Sequence, residues 1–170
     1  MATNVELQES GARVNLRYKS FLEQDIANLL ASMGIGFSYD VVLRGYGQDG
    51  VSTINLDFVL DRKIGNKQVA IEAHGAQYVN EHFIRKLANF NENFSKYYSL
   101  IVVTGKKVNK FKIELNRYGI SDQPCDYLIY MPQDIESYKE KYLRKEKEEG
   151  TLIAESIEEL KGIISKILRI

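Results

Sequence analysis

The run YYSLIVVTG at 97–105 constrains the fold most, because it is apolar at nearly every position. A strand with one face in water alternates apolar and polar side chains, whereas a strand covered on both faces does not. Just before it, residues 79–96 place Phe83, Ile84, Leu87, Phe90 and Phe94 at helical spacing. A helix feeding a doubly buried strand predicts a sheet with helices on both faces. DYLIYM (126–131) reads as a second buried strand, ended by Pro132.

The remaining elements follow from spacing and punctuation. Residues 17–33 carry Phe21, Leu22, Ile26, Leu29, Leu30 and Met33 at helical spacing, with Ser20 and Glu23 as a capping box and Gly34 and Gly36 as the stop. FSYDVVL (37–43) reads as a strand, RGYGQDG (44–50) as a glycine-rich turn, and VSTINLDFVL (51–60) and QVAIEAHG (68–75) as a hairpin joined by DRKIGNK. KFKIELNRYG predicts a short helix. The tail predicts two more around Gly150, the second with a stripe of Leu152, Ile153, Ile157, Leu160, Ile164, Ile167 and Leu168. The order α-β-β-β-α-β-α-β-α-α predicts an α/β fold with a central mixed β-sheet flanked by helices. Residues 1–132 form the α/β core and 133–170 a C-terminal helical extension, packed on that core or at a homodimer interface, within one domain overall.

At 170 residues the chain has the length of a single domain with a real core. No apolar run reaches the roughly 18 residues of a membrane span, and the N-terminal stretch lacks the apolar centre of a signal peptide. The expectation is therefore an intracellular protein, cytoplasmic or nucleoid-associated, with no membrane partner. The single cysteine, Cys125, excludes an internal disulfide and a cysteine-only metal cluster, and reads as a half-buried small hydrophobe. Twenty-three basic and 23 acidic residues balance, which argues against coating nucleic acid through bulk charge but not against a local basic face.

The chemistry concentrates in INLDFVLDRKIGNKQVAIEAHGAQY (54–78). Asp57 and Glu72 each sit among apolar strand residues, where a carboxylate is costly unless paired or bound to a cation. The hairpin can set them side by side, and two hard oxygen donors suit Mg²⁺ or Mn²⁺. A strand-edge pair bonded to neighbouring helix caps is the plain structural alternative. His74, two residues after Glu72, points to the same face and so can join them as ligand or base. His82 lies on a helix of mixed faces and reads as structural or solvated.

An acidic residue on one strand, a short hairpin and then Glu-x-His on the next resembles the PD-(D/E)XK nuclease superfamily, with His74 at the usual lysine position. The resemblance spans about residues 17–105: a glutamate-bearing helix, a glycine-marked turn into the first strand, LDFVL, VAIEAHG and SLIVVTG. It implies a restriction-endonuclease-like core in which Asp57 and Glu72 ligate the metal and Glu23 is an auxiliary carboxylate. Leu56 stands where a proline is usual. His74 lacks the fixed positive charge of lysine, and Arg85 and Lys86 on the next helix are candidate replacements.

The reading that follows is a metal-dependent endonuclease hydrolysing phosphodiester bonds in DNA, with RNA not excluded. Asp57, Glu72, His74 and Glu23 are its catalytic residues, and Asp57, Glu72 and His74 its ligands for Mg²⁺ or Mn²⁺. Lys19, Gln77, Arg85, Lys86, Lys106 and Lys107 are its nucleic-acid contacts. The alternative is a catalytically inactive nucleic-acid-binding module, or a subunit of a larger assembly, that keeps the fold.

Overall fold

The computed structural model describes residues 18–47, 50–74, 81–105, 115–117, 119, 125–132 and 152–170. The first helix, α1 (Phe21–Ser32), starts where the side chain of Ser20 accepts the Glu23 N–H at 3.2 Å and ends ahead of Gly34, whose φ is +70°. The Ser20 cap and the stop stand as expected, while the Glu23 carboxylate takes the Ser20 hydroxyl. Leu22, Ile26, Ala27, Leu29 and Leu30 turn into the core.

Strands β1 (Phe37–Gly47) and β2 (Gly50–Ile64) form a long antiparallel hairpin that closes at Gly47 opposite Gly50. The turn expected over 44–50 thus begins later, and residues 44–47 are strand. Gly45 serves close approach instead: a Cβ there would lie 3.0 Å from the Phe94 ring and 3.2 Å from the Asn93 Cβ. The second turn is also shorter than DRKIGNK suggests, because β2 runs to Ile64 and only residues 65–66 turn, with Gly65 at φ +61°.

Next come β3 (Lys67–His74), α2 (Glu81–Asn93), β4 (Tyr98–Thr104), β5 (Tyr127–Tyr130), β6 (Leu152–Ile153) and α3 (Ile157–Leu168). The sheet order is β1-β2-β3-β4-β5-β6; β3 to β6 run parallel and the first three strands antiparallel. The expected mixed α/β sheet flanked by helices, with a C-terminal helix, is what the chain forms.

Leu152 and Ile153 correct one expectation, since they join the sheet beside Ile129 and Tyr130 rather than opening the last helix. That helix starts only after Ser156, whose side chain accepts the Glu159 N–H. Its apolar stripe goes to the core at Leu160 and Ile164. Of the short helix expected at 110–119, residues 115–117 are helical. The charged helix expected over 134–150 lies outside the described residues, as do Gln77, Lys106 and Lys107. Among the described residues no helix is long and apolar enough to cross a membrane.

Two cores sandwich the sheet. One joins α1 and α3 to Phe58, Leu60, Val69, Ile71, Ile101, Val103 and Ile129; the other joins α2 to Ile54, Leu56, Val59, Ala70, Leu100 and Val102. Strand β4 alternates between them and is buried on both sides, as its apolar run requires. The sheet changes phase at one place. Phe37 and Tyr39 pack on the α1/α3 side but Val41 and Leu43 on the α2 side; on β2, Ile54 and Leu56 face α2 while Phe58 and Leu60 face α1 and α3. Asp40 and Asp57, opposite each other in this register, mark the change, and Asp40 has φ +56°. One left-handed residue turns the following side chains to the other face, and aspartate tolerates it better than most.

Candidate functional site

The carboxylates meet where β2 and β3 part. The ladder pairs Phe58 with Ile71, and the next pair in this register is Asp57 with Glu72. There the carboxylates take over from backbone carbonyls: Glu72 Oε1 accepts the Asp57 N–H at 2.8 Å, and Asp57 Oδ2 accepts the Ala73 N–H at 2.8 Å. Glu72 is 2 % exposed, so its second oxygen needs a partner. Lys86, reaching down from α2, places Nζ 2.8 Å from Oε2.

One lysine does not neutralise the cluster. Burial, and then the charge of Glu72, push Asp57 up to about 8. Burial also raises Glu72, against the pull of Lys86. Glu23 raises both by repulsion. It is itself buried and held in place, with Oε2 accepting the Ser20 hydroxyl at 2.8 Å and Oε1 the Tyr39 hydroxyl at 3.0 Å. Lys19 pairs with Asp40 at 3.0 Å, and its N–H reaches the Tyr39 hydroxyl. Three carboxyl groups thus share one region with Lys86, which favours either protonation or a bound cation.

His74 was expected as a third ligand. It is on the same face as Glu72, but its ring stacks on Phe83 with centroids 4.1 Å apart and planes 12° from parallel. Among the described residues no three His, Cys, Asp or Glu side chains form a metal-binding group, so His74 does not complete a triad with Asp57 and Glu72. The donor set that remains, two oxygen carboxylates, suits Mg²⁺ or Mn²⁺, because such ions commonly take one or two protein carboxylates and complete their shell with water and phosphate.

Two clefts flank the pair. One of about 440 Å³ is lined by Asn55, His82, Arg85, Lys86 and Asn89. The other, of about 800 Å³, includes Lys19, Glu23, Ala73 and His74. Arg85 makes an exposed ion pair with Glu81. Cys125, half-buried, packs against the α2-side core, and burial pushes its thiol up to about 12.

Tyr39, Asp40 and Phe83 belong to the site and were not expected from sequence. Only the position of Asp40 in an otherwise apolar strand, next to Tyr39, offered a signal; nothing set Phe83 apart from its core neighbours.

No protein-family model and no curated protein matches the chain. A crystal structure described as protein of unknown function AF1548 is similar over 72% of this chain, at 19% identity and a TM-score of 0.41. The match covers 61% of that protein's chain. At this level the likeness bears on neither the site nor its reaction.

Proposed function

We propose that the chain is a divalent-metal-dependent nuclease that hydrolyses phosphodiester bonds in DNA, with Asp57 and Glu72 as the ligands of Mg²⁺ or Mn²⁺. The observation that carries this reading is the Lys86–Glu72 contact of 2.8 Å beside Asp57. It supplies, from α2, the fixed positive charge that His74 does not provide from β3. RNA carries the same phosphodiester linkage.

The roles divide by position. Asp57 and Glu72 would hold the ion, each already oriented by a backbone N–H across the strand gap. The bound ion would supply an activated water and neutralise charge at the scissile phosphate. Lys86 sets an ammonium beside the negative charge that develops there, an arrangement that stabilises a transition state more than a ground state. Glu23, fixed by Ser20 and Tyr39, deepens the negative potential that attracts the cation. His74 remains on Phe83 and bounds the site.

One observation favours a nucleic-acid-binding module without cutting: among the described residues no three His, Cys, Asp or Glu side chains form a group that could hold a metal ion. Incubating the purified chain with plasmid and single-stranded DNA in Mg²⁺, Mn²⁺ or EDTA separates the two readings. Metal-dependent nicking that Asp57→Ala or Glu72→Ala abolishes supports the nuclease. Salt-sensitive DNA retention without nicking supports the module.

A further inference from the structure

The 440 Å³ cleft differs in charge from its surroundings. On α2, His82, Arg85, Lys86 and Asn89 recur at i, i+3, i+4 and i+7 and form its helical wall, while Phe83, Ile84, Leu87 and Phe90 on the same helix are core. Val42, Thr53, Ile54 and Asn55 form the opposite wall. Among the described residues no carboxylate lines this cleft, although the whole chain has as many acidic as basic residues. One wall residue, Lys86, also touches Glu72, so the cleft and the acidic pair are joined through that lysine.

We infer that this cleft is a phosphate-binding subsite, holding the sugar–phosphate backbone of a nucleic-acid strand next to the bond at Asp57 and Glu72. The inference rests on the nuclease or nucleic-acid-binding reading above and adds the residues that hold the strand. Arg85 is its main phosphate ligand. Its ion pair with Glu81 is largely solvent-exposed, at 76% and 54% for the two side chains. Such pairs hold weakly, and a phosphate can replace the carboxylate with the same bidentate fork. His82, three positions before Arg85, adds a ring N–H donor. Asn89 is already committed, since its amide donates to the Thr53 carbonyl and its Oδ1 accepts from Ser52; it fixes the wall rather than the ligand. Val42, 62% exposed, offers apolar surface to a sugar.

The test is equilibrium binding of a fluorescein-labelled oligonucleotide in EDTA, where no cutting occurs, over a salt series. Arg85→Ala is expected to lower affinity and to reduce the slope of log K against log salt by about one. Arg85→Lys is expected to restore the slope but only part of the affinity. Glu81→Gln, which frees Arg85, is expected to tighten binding, a gain that a structural role for Arg85 would not produce. His82→Ala is expected to weaken binding about 3- to 10-fold, the loss of one hydrogen bond. Inorganic phosphate serves as competitor. Displacement of the oligonucleotide only at high concentration fits a backbone site, whereas binding of phosphate without binding of the oligonucleotide overturns it. Slopes unchanged in Arg85→Ala, with no tightening in Glu81→Gln, also overturn it. These readouts are independent of cleavage: a chain that binds this way and never cuts refutes the nuclease, not the subsite.

Discussion

Asp57 and Glu72 hold each other across the fork between β2 and β3: the Glu72 carboxylate takes the Asp57 N–H, and the Asp57 carboxylate takes the N–H of Ala73 beside Glu72. Each side chain therefore does a backbone carbonyl's work while keeping a second oxygen. The Glu72 oxygen goes to Lys86; among the described residues no hydrogen bond reaches the second Asp57 oxygen. Of the pair, Asp57 is the carboxylate fixed in place by one oxygen with the other left over.

The metal-free protein is expected to lose stability as pH rises. Asp57 titrates near 8 when folded, against about 4 for an ordinary aspartate. The folded state then binds the extra proton, so the stabilisation is complete below pH 4 and is lost as pH rises through 8. Asp57→Asn can still accept the Ala73 N–H but cannot ionise. In EDTA it is expected to flatten this pH dependence and to be more stable than wild type at pH 8.5. Urea melts of both proteins from pH 4 to pH 9 check this; parallel curves would contradict it.

Divalent cation is expected to reverse the penalty. Mn²⁺ should raise the wild-type melting temperature at pH 8, with ~2.7 kcal/mol gained at a hundredfold excess over Kd. The Asp57→Asn variant should show little or none of this gain. Thermal melts with and without EDTA provide the measurement.

Lys86 and His74 are expected to separate in kinetics. Lys86→Met removes the charge at Glu72 and should lower the nicking rate by about 100-fold or more, as loss of a preorganised charge does elsewhere. His74→Gln should cost less than about tenfold, because the ring packs on Phe83. Adding His74→Lys to Lys86→Met is expected to restore part of the activity. A larger loss from His74→Gln than from Lys86→Met would make the histidine the working base.

Gly45→Ala tests the packing that positions the β1–β2 hairpin. Its Cβ would press on the buried Phe94 ring, at a cost of about 1–3 kcal/mol. Chemical denaturation would read this, and no loss of stability would mean that the ring yields.

Much of this architecture was legible, for reasons that can be named. Ser20 and Gly34 are local signals whose partners lie within a few residues, and the Ser20 cap formed as read. The run at 98–104 could only be a doubly covered strand. That Lys86 can reach the Glu72 carboxylate was legible because one helix connects β3 to β4. Hidden features depend on tertiary context. Phe37, Tyr39, Val41 and Leu43 alternate perfectly in sequence, yet Asp40 sends the first two and last two to opposite cores. Leu152 and Ile153 fit the helical stripe that follows, and only the free edge of β5 makes them a strand. His74 obeys the pleat, but Phe83 decides what its ring touches.

The most direct measurement is plasmid nicking in Mn²⁺ by wild type beside Asp57→Asn, which keeps the shape and the hydrogen bond but not the charge. The expected result is nicking by wild type that EDTA stops, and none above background by the variant. Metal-dependent nicking that persists in Asp57→Asn would contradict a cation site at Asp57 and Glu72.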